Sequence, residues 1–134
     1  MLVREYQDSD LARLLAIHAK QSFDYAFPDL SNPLFVTKKV LVNQSTIVGA
    51  AFLRLTAEAY LLLDPSAGAP RERWQWLLAL HDAAARDAWQ RGLEDVHAWL
   101  PPPIAKKFGK HLARIGWIRD DAWTPYCKKL ELAK

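Results

Sequence analysis

Ala57-Glu58-Ala59-Tyr60-Leu61-Leu62-Leu63-Asp64-Pro65-Ser66-Ala67-Gly68-Ala69-Pro70-Arg71-Glu72-Arg73-Trp74 is the stretch on which the fold turns. Ala57 to Asp64 predicts a strand that stops at Pro65, and its apolar run Leu61-Leu62-Leu63 predicts cover on both faces. Ser66 to Ala69 reads as a loop, and Pro70 suits the first position of a helix, where a missing N–H costs nothing. Trp74, Leu77, Leu78, His81, Ala85 and Ala88 then recur at helical spacing. Gly92 predicts the end of that helix. Val96 to Leu100 reads as another short strand, stopped by Pro101-Pro102-Pro103. A strand, a long helix and a strand predict a right-handed parallel crossover between Tyr60 and Leu100.

Upstream, Leu2 to Tyr6 predicts a strand and Asp8-Ser9-Asp10 offers caps to a helix from Ser9 to Lys20, striped by Leu11, Leu14, Leu15 and His18. Ser22 to Thr37 has no period, is broken by Pro28 and Pro33, and reads as an irregular aromatic segment. Lys38 to Val42 and Thr46 to Leu55 flank Asn43-Gln44-Ser45 as a hairpin. Gly49 interrupts the second run and predicts a bulge or a close approach. Downstream, Ile104, Phe108, Leu112 and Ile115 stripe a last helix ended by Gly116, and Pro125 to Leu132 reads as a final strand. The order β-α-(loop)-β-β-β-α-β-α-β predicts one α/β (α+β) domain over residues 1–134. Its sheet is mixed and mostly antiparallel, with helices on both faces.

Composition narrows the classes. At 134 residues, 51% hydrophobic and 25% charged, the chain has the make-up of one ordinary globular domain. A net charge of +3 is too small to argue for nucleic acid, so none is expected as a partner. Cys127 is the single cysteine, which rules out an internal disulfide and suits a reducing compartment. The charged start Met1-Leu2-Val3-Arg4-Glu5 does not read as a signal peptide, and no apolar run approaches a membrane span. The expectation is a cytoplasmic protein without a membrane partner. The four histidines are scattered and have no ligand spacing, so no metal is expected.

Several phrases carry a resemblance. Leu2-Val3-Arg4-Glu5-Tyr6 with Asp8-Ser9-Asp10-Leu11, then Thr46-Ile47-Val48-Gly49-Ala50-Ala51, then Leu61-Leu62-Leu63-Asp64-Pro65, then Leu112-Ala113-Arg114-Ile115-Gly116-Trp117 follow the order and spacing of one family. Through them the chain resembles the GNAT superfamily of N-acetyltransferases along nearly its whole length. The resemblance implies acetyl-CoA bound where the fourth and fifth strands part. Its diphosphate would lie on a glycine-rich loop at the start of the long helix, where free N–H groups and the helix dipole favour anions. Leu62, Leu63, Gly68, Ala69, Arg71, Arg73 and Trp74 occupy that region here, and Lys106 is the candidate for the 3′-phosphate.

This sequence departs from the family at two places. The loop keeps one glycine, Gly68; Pro70 lacks an N–H, Glu72 brings a carboxylate, and Trp74 is bulky where the family has Gly or Ala. Leu112 stands where many members have a Tyr that protonates the leaving thiolate.

The same resemblance implies site roles. Glu58 stands where the family often places a general base, against the plainer reading of a solvent-facing charge. His97, on the face of Trp99 beside the cleft, is a second candidate base, against a packed histidine. Tyr126 replaces the missing acid if the final strand brings it near. Asp24, Tyr25 and Asp29 lie where the family shapes its acceptor pocket, and the carboxylates suit a cationic small-molecule or peptide amine. Lys106, Lys107, Lys110 and Arg114 populate one side of the last helix, a solvated face or an anion contact. Trp74 and Trp76 cannot share a helix face, so one is expected at a surface, in keeping with a homodimer. The implied function is N-acyl transfer from acetyl-CoA. The alternative is a GNAT-like fold without catalysis, serving as a binding or interaction module.

Overall fold

Leu2–Glu5 forms strand β1, Phe35–Asn43 strand β2 and Thr46–Arg54 strand β3 in the computed structural model, which describes residues 1–121, 123 and 125–130. The three make an antiparallel sheet in the order β1-β2-β3. Gln44 and Ser45 join β2 to β3 with φ of 50° and 64°. Two consecutive positive values are what a two-residue hairpin turn needs to match strand twist. Pairing passes from Leu41↔Gly49 to Val42↔Ile47, so Val48 is the extra residue of a bulge. The bulge expected at Gly49 therefore sits one residue away. The close approach is absent, since a Cβ at Gly49 would meet nothing within 4 Å.

One sheet face carries the core. Val40 is 1% exposed, and its register partners are Arg4 and Ala50. On the next rung but one, the Phe52 ring meets Phe27 and Phe35 edge-on at 6.0 and 6.4 Å. Asp8–Asp10 is a turn of 3-10 helix leading into helix α1, Leu11–Gln21, which packs on β3. Leu14, at 3% exposure, faces inward, and Arg13 Nε donates to the Ile47 carbonyl at 3.0 Å. Of the expected stripe, Leu14 and His18 face inward, joined by Ile17, whereas Leu11 and Leu15 are exposed. Ser22 to Leu34 contains no regular element, yet Leu30 within it is buried and its carbonyl accepts from Lys38 Nζ.

Asp10 is buried at the head of α1. It accepts from Arg4 Nη1 and Nη2, at 2.8 and 2.9 Å, and from the Gln7 N–H at 2.8 Å. The Arg4 contact, then the Gln7 N–H, lower its pKa from 3.8 to about 2. A depressed carboxylate stabilises fully above its unfolded pKa and loses that effect as pH falls through the folded value. Asp10→Asn should therefore separate from wild type at neutral pH and converge on it as the pH falls from 3.8 to about 2. Urea melts at stepped pH check this, and a difference that stays constant would deny the carboxylate an ionic role.

Ala57–Glu58 forms β4 and Val96–His97 forms β5, a separate parallel pair. Helix α2, Pro70–Gln90, lies between them in sequence. Pro70 occupies the first turn as expected. Leu77 is 5% exposed, and Trp74, Leu78, His81 and Ala88 are half-buried, which reproduces the expected stripe except for Ala85, which is exposed. Gly92, at φ 78°, closes the helix: its N–H donates to the Trp89 carbonyl and that of Leu93 to the Ala88 carbonyl. Both strands are shorter than predicted. Tyr60 to Asp64 is not strand, and Leu61 and Leu62 are exposed, so the expected cover on both faces is corrected. The apolar run alone does not make a strand without a neighbour to take its N–H and C=O groups. The chain is thus mixed α+β, with an antiparallel three-stranded sheet, a short parallel pair and three α-helices among the described residues.

These elements up to Ala98 make one compact unit, and Trp99–Lys134 make a second. In the second, helix α3 spans Pro102–Arg114 and ends at Gly116 (φ 95°), with Trp117 N–H on the Leu112 carbonyl. Pro125 to Leu130 forms no strand, which corrects the expected final strand; Glu131 and Leu132 lie outside the described residues. Cys127, which lies within that expected strand, is exposed. No helix among the described residues is long and apolar enough to cross a membrane.

Candidate active site

The parallel pair is two rungs deep, Ala57↔Val96 and Glu58↔His97. One further bond, Ala59 N–H to the His97 carbonyl at 2.7 Å, ends it. Register partners in a parallel ladder share a sheet face, so Glu58 and His97 stand side by side at the last rung. Both are exposed. The Glu58 carboxylate beside the Tyr60 phenol raises the phenol's pKa above its ordinary 10.0. On the other flank, His97 Nε2 lies 3.6 Å from Asp95 Oδ2. The strand ends therefore gather a carboxylate, an imidazole and a phenol that keeps its proton at neutral pH, which is the equipment of acid–base chemistry.

β5 is held by a clasp from the larger sheet. Arg54, at the end of β3, reaches Glu94 at 3.0 Å and Asp95 at 3.4 Å. Asn32 Nδ2 adds a hydrogen bond to Glu94 at 2.7 Å. Since Asp95 immediately precedes β5, this cluster positions His97.

The loop before α2 is organised by its own side chains. Asp64 accepts from the Ser66 N–H at 2.9 Å and hydroxyl at 2.7 Å, which lowers its pKa. Arg73 reaches back to the carbonyls of Ala67 and Gly68, at 3.2 and 2.8 Å. Glu72 Oε1 accepts the Ala69 N–H at 3.1 Å. A carboxylate thus occupies a donor that the sequence assigned to a diphosphate. Gly68 has φ 62°, and a Cβ there would lie 2.6 Å from the Trp76 indole. Trp76 is therefore the surface tryptophan of the 74/76 pair, with its ring over Gly68. Gly68→Ala should cost about 1 kcal/mol through the left-handed backbone. The Trp76 ring must also swing aside, so denaturant melts should shift and the near-UV dichroism should change. An unaltered near-UV spectrum would contradict the contact.

The remaining candidates separate. Tyr126 is 95% exposed and Lys106 is exposed, both in the C-terminal unit. Asp29 is committed to a turn, accepting the Ser31 N–H at 3.0 Å and hydroxyl at 2.6 Å. Asp24 is exposed, and Tyr25 stacks on Phe23 at 5.5 Å and meets His18 edge-on at 5.2 Å. Arg71 is exposed at the first turn of α2, while Trp74 belongs to that helix's half-buried stripe. No group of three metal-ligating side chains occurs among the described residues. Tyr60 was not singled out by the sequence reading; its place two residues after Glu58, on the same side of an extended chain, was the available signal. The chain matches no family model, no curated protein and no solved structure.

Proposed function

We propose that the chain is a GNAT-like N-acyltransferase that moves an acetyl group from acetyl-CoA to an amine. The observation that supports this most is the parallel pair that ends at Ala59, with Glu58 and His97 as partners on its last rung. Glu58 takes the proton that the amine sheds, directly or through water, as the nitrogen bonds to the thioester carbon. The carbon–sulfur bond breaks, and Tyr60 supplies the proton that the departing thiolate takes up, the role that Leu112 cannot fill. A backbone N–H near Leu62 or Leu63 polarises the carbonyl oxygen. Arg71 is the side chain left to meet a diphosphate. A reducing, cytoplasmic setting suits the single cysteine.

The loop favours a second reading, a GNAT-like binding module without catalysis. Trp76 covers Gly68, Glu72 holds the Ala69 N–H, and Arg73 is engaged with carbonyls. Calorimetric titration with acetyl-CoA and with CoA decides between the two. The acyltransferase reading expects micromolar binding, weaker in Arg71→Ala and tighter in Glu72→Ala, because the variant frees a donor and removes a repelling charge. No heat at millimolar ligand over several temperatures, in wild type and Glu72→Ala alike, would overturn it and leave the module.

A further inference from the structure

Charge is divided unevenly along the chain. The segment 99–134 carries eight Lys/Arg against three Asp/Glu, whereas 1–98 carries ten against twelve. The excess concentrates on α3, which has no acidic residue and no buried one. At about 100° per residue, Ile104, Phe108, Leu112 and Ile115 fall within an arc of about 80°. Lys106, Lys107, Lys110 and Arg114 fall within about 100° on the other side of the same helix. Ile104 is 49% exposed, Phe108, Leu112 and Ile115 are half-buried, and exposed aromatics flank the helix in sequence at Trp99, Trp123 and Tyr126.

We propose that α3 seats on an anionic lipid surface as a basic amphipathic helix. A soluble polyanion would call on the lysines alone. An apolar arc beside a basic one, with Trp and Tyr nearby, matches the boundary between headgroups and acyl chains, where the cations meet lipid phosphates and carboxylates. Lying on a bilayer is physically distinct from crossing one, so the absence of a spanning helix among the described residues does not bear on it. The proposal departs from the expectation that membranes play no part, and it stands independently of acyl transfer.

The test is co-sedimentation of the full chain with vesicles of phosphatidylcholine alone and of phosphatidylcholine mixed equally with phosphatidylserine. Binding is expected to the mixed vesicles only, and to weaken with added salt. A basic residue near an anionic surface contributes about five-fold in affinity, so the triple change Lys106→Gln, Lys107→Gln, Lys110→Gln should weaken binding about 100-fold. Ile104→Asn should weaken it about ten-fold through lost apolar burial. Circular dichroism of each variant checks that α3 persists, and the wild-type lipid and salt comparisons need no variant at all. Failure to bind the mixed vesicles overturns the proposal. So does equal binding to phosphatidylcholine alone. Retention on heparin that the lysine variant loses, with Ile104→Asn bound to vesicles like wild type, reassigns the helix to a soluble polyanion.

Discussion

Leu14→Ala is expected to lower the unfolding free energy by about 2–5 kcal/mol, the range for removing a buried leucine side chain and leaving a cavity. The reason for placing the effect here is the thinness of the core. Among the described residues, Leu14, Leu30, Val40 and Leu77 are the buried hydrophobic ones. Leu14 is the one that seats α1 on the sheet, and the neighbouring Arg13 bond to Ile47 depends on that seating. Domains have total stabilities of about 5–15 kcal/mol, so the loss is a large fraction of the whole. Leu15→Ala is the matched control, because its side chain is 44% exposed. It should cost less than about 1 kcal/mol, since little cavity forms. Paired urea melts read the difference, and equal losses would mean that α1 does not pack as described.

The second large effect concerns Glu58 and rests on the proposed acyl transfer. Glu58→Gln keeps the size of the side chain, but it cannot take a proton. A positioned base contributes about 10²–10⁴-fold, so kcat/KM for thiol release from acetyl-CoA with an amine acceptor should fall by that order. His97→Gln should have a smaller effect, with Glu58 still present. The pH profile distinguishes a base from a structural residue: the rise of kcat/KM with pH that reports base ionisation should vanish in Glu58→Gln alone. A variant with the wild-type profile and rate would remove Glu58 from the chemistry.

The sequence declared some of this more readily than the rest. The β2–β3 hairpin was legible because two β-rich runs flank a short polar turn, and α2 was legible because a proline, a stripe and a glycine mark its start, face and end. These are local signals with local causes. The lengths of β4 and β5 were not legible. Leu61-Leu62-Leu63 is apolar enough for a buried strand, but whether it pairs depends on a neighbour elsewhere in the chain. Pro125 to Leu130 failed in the same way. At the site, Glu58 and His97 could be named from the sequence as separate candidates, but their shared rung is a matter of register. Arg54 went unread because its partners Glu94 and Asp95 are distant in sequence; Tyr60 went unread although it stands two residues from Glu58, and Trp76 was read as one of a pair with a surface member, not as the ring over Gly68. The resemblance drew attention to Gly68 as a phosphate contact, and so away from the tryptophan that covers it.

The Arg54 clasp should make the alignment of Glu58 with His97 sensitive to the surrounding electrolyte. Its partners Glu94 and Asp95 have side chains about half open to water, at 58% and 46%. Ions screen such contacts over about 10 Å at 0.1 M salt. The two rungs beneath offer little resistance to a change at the strand's entry. Raising ionic strength should therefore shift the NMR signals of His97 and its neighbours well before the three-stranded sheet responds. The site would then respond to the ionic strength of its surroundings more readily than the sheet that carries it.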